Sequence, residues 1–185
     1  MSKVRVCPWW MGYLLANPLR RLVHNPASIL GEHVRTGMKV LEIGPGMGFF
    51  SLPMAEMAGP SGKIIAVDIQ PRMIKRLEER ARRAGMAERI ECRLCSAGSL
   101  GVDDLAGSVD FVFAFAVVHE MPGLENLFRQ LFKALKKGGS VLMADPLSGF
   151  SKENFLKTIS LAEAAGFHKT SEPRIRLSRS AILMK

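Results

Sequence analysis

The sequence predicts an α/β protein with a mostly parallel sheet and helices on both faces. Apolar strand-like segments alternate with helical segments of roughly 10–15 residues, which is the pattern of consecutive βαβ units. The segment SVDFVFAFA is apolar almost throughout, as expected for a strand buried on both faces. The last two strand-like segments leave no room for a helix between them, so we expect them to pair antiparallel.

Each strand is predicted from a short apolar run bounded by glycine, proline or polar residues. In chain order the strands are MKVLEIG, GKIIAVDI, ERIECRLC, SVDFVFAFA and SVLMAD, followed by a terminal pair within GFHKTSEP and RLSRSAILMK. The chain shows no internal repeat, low-complexity segment or long linker. Crossovers between the parallel strands should be right-handed.

The helices are predicted from their end signals and apolar faces. Asn25 and Pro26 are an N-cap and a first-turn proline, so a helix should run from there to about Val34. The next helical segments are MGFFSLPMAEMAG up to Gly59, PRMIKRLEERARRAG up to Gly85, GLENLFRQLFKALKKGG, and Lys152 to Ala165. Helices of this kind between strands complete the βαβ pattern.

Length and composition predict one folded domain over residues 1–185, with 48% hydrophobic residues. Residues 1–36 precede the first predicted strand, and residues 37–185 contain all of the predicted strands. Lys and Arg number 26 against 17 acidic residues, giving a net charge of +9 that is concentrated at the two ends of the chain. Basic ends would attract acidic small molecules, nucleic acid or anionic lipid, or they only keep the protein soluble.

Cysteine content and hydropathy bear on the cellular compartment. Three cysteines imply no disulfide framework, so we expect a reducing cytoplasm. The longest apolar run near the N-terminus, VCPWWMGYLLA, is too short to span a bilayer and is not followed by a signal cleavage site. We therefore expect no transmembrane segment. The sequence does not indicate an oligomeric state.

A glycine-rich turn follows the first buried strand in VLEIGPGMGFF, with Gly44, Gly46 and Gly48 at alternate positions. In open parallel sheets, ligands bind at the carboxyl ends of strands, so the turn is a candidate ligand site. A triphosphate loop is excluded because no G-x-x-x-x-G-K-[ST] occurs. The dinucleotide fingerprint G-x-G-x-x-G is also broken, because Phe49 replaces its third glycine and Pro45 lacks an N–H group.

The acidic residues near this turn indicate the charge of the ligand. A carboxylate at Glu42 would repel a pyrophosphate and attract a cation, by roughly 4 kcal/mol at short range and an effective dielectric of about 20. S-adenosylmethionine carries an ammonium and a sulfonium and no phosphate. Asp68, at the end of the second strand, can accept both ribose hydroxyls, although NAD enzymes share this feature and it would also suit a helix N-terminus.

These segments together resemble the class I S-adenosylmethionine-dependent methyltransferases, and most of all the small-molecule branch typified by quinone-ring methyltransferases. The matching segments are VLEIGPGMGFFSLPMAE, VDIQPRMI, VDFVFAFAVVHEM and LKKGGSVLMAD. The resemblance implies a Rossmann-like core over residues 37–185, with a doubly wound sheet of seven strands whose last strand is antiparallel. It also implies that residues 1–36 form an N-terminal helical cap segment. It places Glu42, Gly44 and Gly46 around the methionine part of the cofactor, Asp68 at the ribose and Ile69 beside the adenine.

One position departs from the pattern of that family. An aspartate that receives the adenine amino group commonly follows the third strand, and the matching residue here is Ser96. A serine hydroxyl can accept a hydrogen bond but carries no charge. Pro45, Gly48 and Phe115 complete the predicted cofactor site.

Candidate catalytic residues follow the fourth strand in AVVHEMPG. His119 and Glu120 lie where the strand should end, facing the expected methyl group, and either could remove a proton from the acceptor. Alternatively, His119 only packs against or caps the following loop. The Asn-Pro-Pro-Tyr and Asp-Pro-Pro-Tyr motifs of amino-group methylation are absent here.

Two further features are open to more than one interpretation. Trp9, Trp10 and Tyr13 could line an apolar acceptor pocket, lie in a membrane interface beside Arg20 and Arg21, or pack on the sheet edge. Cys92 and Cys95 have C-x-x-C spacing. Residues three apart on a strand face opposite sides, so two ordinary buried cysteines are favoured, no metal site is predicted, and thiol-dependent arsenic methylation is a remote alternative.

The leading hypothesis is methyl transfer from S-adenosylmethionine to a small molecule, with an anionic or aromatic acceptor compatible with the composition. Methylation of RNA is a second hypothesis, because both ends of the chain are basic. A third is a binding module that has lost catalysis, motivated by Ser96 and by the lack of a strong base motif. An NAD-dependent reductase is disfavoured by Glu42 and Pro45.

Overall fold

The structure is a computed structural model that describes residues 8–12 and 16–185. The chain divides into two compact units. The N-terminal unit is described over residues 8–12 and 16–95, and the C-terminal unit covers residues 96–185. The predicted division into a cap segment and a core stays a prediction.

The N-terminal unit has a parallel three-stranded arrangement in the order β3-β2-β1. Its elements are a 3-10 helix at Pro18–Leu22, α1 at Pro26–Leu30, β1 at Lys39–Ile43, α2 at Ser51–Ala58, β2 at Lys63–Asp68, α3 at Pro71–Arg83 and β3 at Ile90–Leu94. Val40 pairs with Ile64 and Leu41 with Ile65, and all four side chains are buried. The parallel pairing places the carboxyl ends of β1 and β2, which carry Glu42 and Asp68, at the same edge.

The C-terminal unit has strands in the order β4-β5-β7-β6. Its elements are a 3-10 helix at Asp103–Leu105, β4 at Val109–Phe115, a 3-10 helix at Val118–Glu120, α4 at Leu124–Ala134, β5 at Leu135–Pro146, α5 at Lys152–Ala164, β6 at His168–Ser171 and β7 at Ser178–Met184. Strands β4 and β5 are parallel, whereas β7 is antiparallel to both β5 and β6.

The predicted fold class is therefore confirmed: a Rossmann-like α/β fold of seven strands, mostly parallel, with an antiparallel last strand. Strand β4 is buried along almost its whole length, as its apolar sequence indicates. The side chain of Asn25 accepts a hydrogen bond from the N–H of Ala27 at 3.0 Å, so the predicted N-cap is correct.

Two predicted helix bounds are wrong, and one of them lies next to the glycine turn. The helix predicted over residues 47–59 begins only at Ser51, because Gly46 and Gly48 have φ angles of 55° and 84° that no right-handed helix allows. The helix predicted to reach Val34 ends at Leu30, and the chain continues in turns.

The helix predicted to include LKKGG ends at Ala134, and β5 begins at Leu135. Leu135 is extended and fully buried, and it pairs with Val109 of β4. The ammonium of Lys185 donates hydrogen bonds to the carbonyl oxygens of Phe132 and Leu135, and such bonds satisfy the last carbonyls of a helix. The helix therefore ends earlier than its apolar periodicity indicates, because Leu135 is buried against β4 and the ammonium of Lys185 binds the last carbonyl groups.

Within the described ranges, no helix is long and apolar enough to cross a membrane.

We predict that Gly48→Ala destabilises the protein more than Gly85→Ala. Both positions have a positive φ, of 84° and 68°, so each alanine should cost about 1–2 kcal/mol in backbone strain. A Cβ at Gly48 would also overlap Cδ1 of the buried Leu77, whereas a Cβ at Gly85 meets open space. Overpacking should add about 1–3 kcal/mol at Gly48, measured as the free energy of unfolding in urea. Equal losses for the two variants would contradict this packing role.

Candidate functional site

The backbone of the glycine turn is held by internal hydrogen bonds. Gly44 donates to the carbonyl of Val67 at 2.9 Å and Gly48 donates to the carbonyl of Pro45 at 3.0 Å. The N–H of Gly46 donates to the carboxylate of Asp68 at 3.3 Å. The three glycine N–H groups are thus engaged by protein oxygen atoms, and Pro45 has none to offer. None of these three glycine N–H groups is therefore left to bind a pyrophosphate, which needs several free backbone donors.

Asp68 ties the glycine turn to the end of β2. Its Oδ2 accepts from the N–H of Gly46 at 3.3 Å and its Oδ1 accepts from the N–H of Gln70 at 2.8 Å. The carboxylate is 7% exposed. Each carboxylate oxygen has two acceptor positions, so Asp68 can hold the turn and still accept hydroxyl groups from a ligand.

Glu42 is buried at the end of β1, with 2% of its surface exposed. The hydroxyl of Ser51, the first residue of α2, donates to its Oε2. Burial raises the pKa of Glu42 to about 8, the Ser51 hydrogen bond opposes that rise, and the negative charge of Asp68 adds to it. Near neutral pH, the ligand-free protein therefore holds Glu42 largely as a neutral acid rather than as the carboxylate that the sequence suggested.

The remaining predicted cofactor residues lie in different settings. Ile69 is half-buried directly after Asp68. Ser96 is exposed, and it forms a tight turn in which its N–H donates to the carbonyl of Ser99 at 3.0 Å. Phe115 ends β4 in the C-terminal unit, 9% exposed, with its ring 6.0 Å from that of Phe113. The structure thus brings Glu42, Gly46 and Asp68 together, and Ser96 is held by its own turn.

Arginines contact aromatic rings and the turn backbone in the N-terminal unit. The guanidinium of Arg20 lies 4.6 Å from the ring centre of Phe49, and burial lowers the pKa of Arg20 to about 10. Arg80 donates to the carbonyl of Met47 within the glycine turn. The Arg72 guanidinium lies 4.6 Å from the ring of Trp9, which is 41% exposed.

Trp10 is 59% exposed, and Tyr13 lies outside the described residues. The predicted roles of this aromatic segment stay predictions.

His119 forms a hydrogen bond with Asp145, a residue that was not among the sequence-based predictions. Its Nδ1 lies 2.7 Å from Oδ1 of Asp145, at the end of β5. Asp145 is fully buried, and its Oδ2 has no hydrogen-bond partner in the part of the chain that the structure describes. The bond to Asp145 raises the pKa of His119, and burial of the imidazole opposes that rise. Glu120 is more distant, with Oε1 at 3.8 Å from Nε2 of His119.

The loop that carries His119 begins with a strained residue. Ala116 has a φ of 56°, a conformation that costs energy for any residue other than glycine, and its N–H donates to the carbonyl of Ala144 at 2.7 Å. This bond joins the ends of β4 and β5 and so brings His119 to Asp145. The ring of Phe150 lies 5.7 Å from the imidazole. With Nδ1 held by Asp145, a neutral His119 presents Nε2 as a proton acceptor.

A model of the methyltransferase domain matches residues 35–173, about three quarters of the chain. The chain belongs to the methyltransferase domain family. Among solved structures, this methyltransferase is similar to an S-adenosylmethionine-dependent methyltransferase from Aquifex aeolicus. That likeness has a TM-score of 0.86 and 21% identity, over 97% of this chain and 99% of the other. The predicted family and S-adenosylmethionine as its cofactor are confirmed.

The sequence relatives align with this chain over only part of their own length. An arsenite methyltransferase of Halobacterium salinarum is 36% identical over 109 residues, which is 59% of this chain and 27% of the relative. A ubiquinone/menaquinone biosynthesis C-methyltransferase of Cronobacter sakazakii is 29% identical over 135 residues, 73% of this chain and 51% of the relative. The methyltransferase described here thus spans about half the length or less of these two relatives.

Sequence reasoning missed Asp145 and Ser51. Asp145 stands out in the sequence only as a single acid at the end of an apolar strand, the same kind of position that Glu42 and Asp68 occupy. That shared position at the carboxyl end of a strand was the signal that could have found it. Ser51 carried no such signal, because its contact depends on where α2 begins.

The two described cysteines are half-buried thiols. Burial raises the pKa of Cys92 to about 12 and that of Cys95 to about 11, so both thiols are protonated at neutral pH. Across residues 8–12 and 16–185, no three His, Cys, Asp or Glu side chains form a group that could hold a metal ion.

We predict that Glu42→Gln makes this methyltransferase more stable than the wild type at pH 8. Glu42 is protonated in the folded protein up to about pH 8 but ionises near its ordinary pKa when unfolded. Unfolding then releases a proton, so wild-type stability falls as pH rises through this window, by roughly 1.4 kcal/mol per pH unit at most. Gln accepts the Ser51 hydroxyl without titrating.

Urea unfolding at pH 5.5, 7 and 8.5 measures this difference. Glu56→Gln, at an exposed position of α2, is the matched control and should follow the wild type. A Glu42→Gln stability that tracks the wild type at every pH would contradict a buried, protonated Glu42.

Proposed function

We propose that this protein transfers a methyl group from S-adenosylmethionine to a small-molecule acceptor, with His119 as general base. The observation that carries this proposal is the His119–Asp145 pair, which leaves Nε2 of His119 as the proton-accepting atom. Bound S-adenosylmethionine supplies an electrophilic methyl group on a sulfonium, which an acceptor attacks in line.

The fit to this cofactor rests on the N-terminal unit. The glycine turn offers no free glycine N–H for a phosphate, while two acids stand beside it. Glu42 would face the positively charged methionine part, and Asp68 would accept the ribose hydroxyls. A cation beside Glu42 favours its ionised form, so the neutral acid would become a carboxylate when the cofactor binds.

The role of the C-terminal unit is to hold and move a proton. A neutral His119, donating from Nδ1 to Asp145, would accept the acceptor's proton at Nε2 as the new bond to the methyl carbon forms. The imidazolium that results would be stabilised by the buried charge of Asp145. Positioned general bases contribute about 10²–10⁴-fold to rate. Glu120, 3.8 Å from Nε2, would be the group to which the proton passes.

A small-molecule acceptor is supported by the two relatives, one an arsenite methyltransferase and the other a C-methyltransferase of ubiquinone/menaquinone biosynthesis. Arsenite as the acceptor has less support from the described residues. Thiolates bind such soft centres, and the raised pKa values of Cys92 and Cys95, the two cysteines that the structure describes, keep these thiols protonated. An organic acceptor with an ionisable proton suits the His119–Asp145 pair best.

We predict that cofactor binding releases close to one proton at pH 7. Glu42 starts as a neutral acid and ends as a carboxylate, so affinity should rise between pH 6.5 and about 8, by up to roughly tenfold per pH unit. Calorimetric titration with S-adenosylmethionine in buffers of different ionisation enthalpy counts the proton. Glu42→Gln should bind more weakly and release none. Proton release that persists in this variant would exclude Glu42 as its source.

We predict that His119→Ala lowers kcat by about 10²–10⁴-fold and that Asp145→Asn moves the pH profile. Activity should rise with pH as His119 loses its proton. Because Asp145 raises the pKa of His119, Asp145→Asn should shift this acidic limb to lower pH and also reduce kcat. Rates of methyl transfer across pH 5.5–9 measure both effects.

His168→Gln, at an exposed position of β6, is the control and should resemble the wild type. The proposed base would be contradicted if the acidic limb of Asp145→Asn lay at the same pH as that of the wild type. Full activity of His119→Ala would also contradict it.

The acceptor class is tested with labelled S-adenosylmethionine and separated small-molecule and RNA fractions of the native cell. We expect label in the small-molecule fraction. Label confined to RNA, in a reaction that weakens steeply with salt, would support RNA methylation and contradict the proposal. Binding of S-adenosylmethionine without label in either fraction would indicate an inactive binding module.

A further inference from the structure

A cleft of about 300 Å³ lies in the C-terminal unit, between α5 and the segment that joins β6 to β7. Phe155 and Leu156 of α5 give it an apolar wall, and Leu156 is 47% exposed although its side chain is large and apolar. The volume is at the lower end of the range for small-molecule sites, which is about 300–1,000 Å³.

Three cationic side chains line this cleft: Lys152, Arg174 and Arg179. None of the three forms an ion pair with a carboxylate in the part of the chain that the structure describes. The one acid in the lining, Glu172, is paired with Lys169 at 2.7 Å. That bond lowers the pKa of Glu172, and the nearby charge of Lys152 contributes to the same shift. The cleft therefore carries an excess of positive charge.

Arg179 is held in place by the protein backbone. Its Nη1 donates to the carbonyl of Phe150 at 2.7 Å, which leaves other guanidinium N–H groups as donors. The hydroxyl of Ser180 donates to the carbonyl of Pro173 and thereby ties β7 to the segment before it. An arginine fixed in this way loses less side-chain entropy when it binds an anion.

We propose that this cleft binds a small molecule that carries a carboxylate or phosphate group on an apolar body. The anionic group would meet Lys152, Arg174 and Arg179, and the apolar body would cover Phe155 and Leu156. Burying Leu156 removes apolar surface from water, while paired cations give charge-assisted hydrogen bonds. The net charge of +4 on residues 152–185 favours the same class of ligand.

The cleft adjoins the His119–Asp145 pair through two contacts. In the antiparallel ladder, Arg179 of β7 lies directly opposite Asp145 of β5. Residues that lie opposite each other on neighbouring strands share a face of the sheet. Phe150 binds Arg179 through its carbonyl, and its ring lies 5.7 Å from that of His119. Given this position, the ligand in the cleft is either the methyl acceptor itself or a separate anionic effector.

The test uses phenyl phosphate and benzoate as probes on the full chain without cofactor, with affinity measured by NMR titration. Arg174→Gln and Lys152→Gln, both at exposed positions, should each weaken binding about five- to tenfold. Lys157→Gln is the matched control, because Lys157 lies on the same helix outside the cleft and pairs with Glu153. Benzyl alcohol, which has no charge, should bind much more weakly than benzoate.

Equal affinity of the probes for wild type, Arg174→Gln and Lys152→Gln would overturn the proposal, as would the absence of binding at millimolar concentrations. Thermal melting of each variant checks that it is folded.

A second measurement separates the two sources of the ligand. The ring nitrogens of His119 are followed by ¹⁵N NMR during the titration. If the His119 signals shift and saturate at the same probe concentration as the signals of the cleft residues, the cleft is a subsite for the acceptor. If the His119 signals stay unchanged, the cleft is a separate effector site. Both readouts are made without methyl transfer, so they stand whether or not the proposed reaction is found.

Discussion

A carboxyl group that folding removes from water governs the chemistry of the N-terminal unit. Glu42 lies at the end of a buried strand, and the neutral hydroxyl of Ser51 donates a hydrogen bond to its carboxyl group. A neutral donor does not compensate the loss of hydration of a full charge, so the group keeps its proton near neutral pH. The site is thus uncharged at this position until a cation makes ionisation favourable.

Asp145 is equally buried but is compensated in the opposite way. Its partner is an imidazole that can itself become charged, and the second carboxylate oxygen has no hydrogen-bond partner among the described residues. A buried negative charge directed at one titratable group raises the proton affinity of that group. Two strand-end acids with similar burial therefore have different effects: burial raises the pKa of Glu42 itself, whereas Asp145 raises the pKa of the histidine bonded to it.

The strands could be predicted closely because their sequence carries the information locally. Apolar runs bounded by turn residues predicted all seven strands, and the antiparallel pairing of the last two followed from the short connection between them. Helix ends were less predictable where distant groups decide them. The helix before β5 ends at Ala134 because Leu135 is buried against β4 and Lys185 caps the preceding carbonyls, and both contacts come from residues far along the chain.

The sequence by itself determined the fold class, the position of the glycine turn and the two acids Glu42 and Asp68 at strand ends, since each is a property of neighbouring residues. Only the tertiary structure decided what those acids do. Whether Glu42 is charged depends on its burial and on Ser51, and whether His119 can act as a base depends on Asp145, 26 residues away. Protonation follows from solvent exclusion and from partners brought together by folding, and neither is encoded in local spacing.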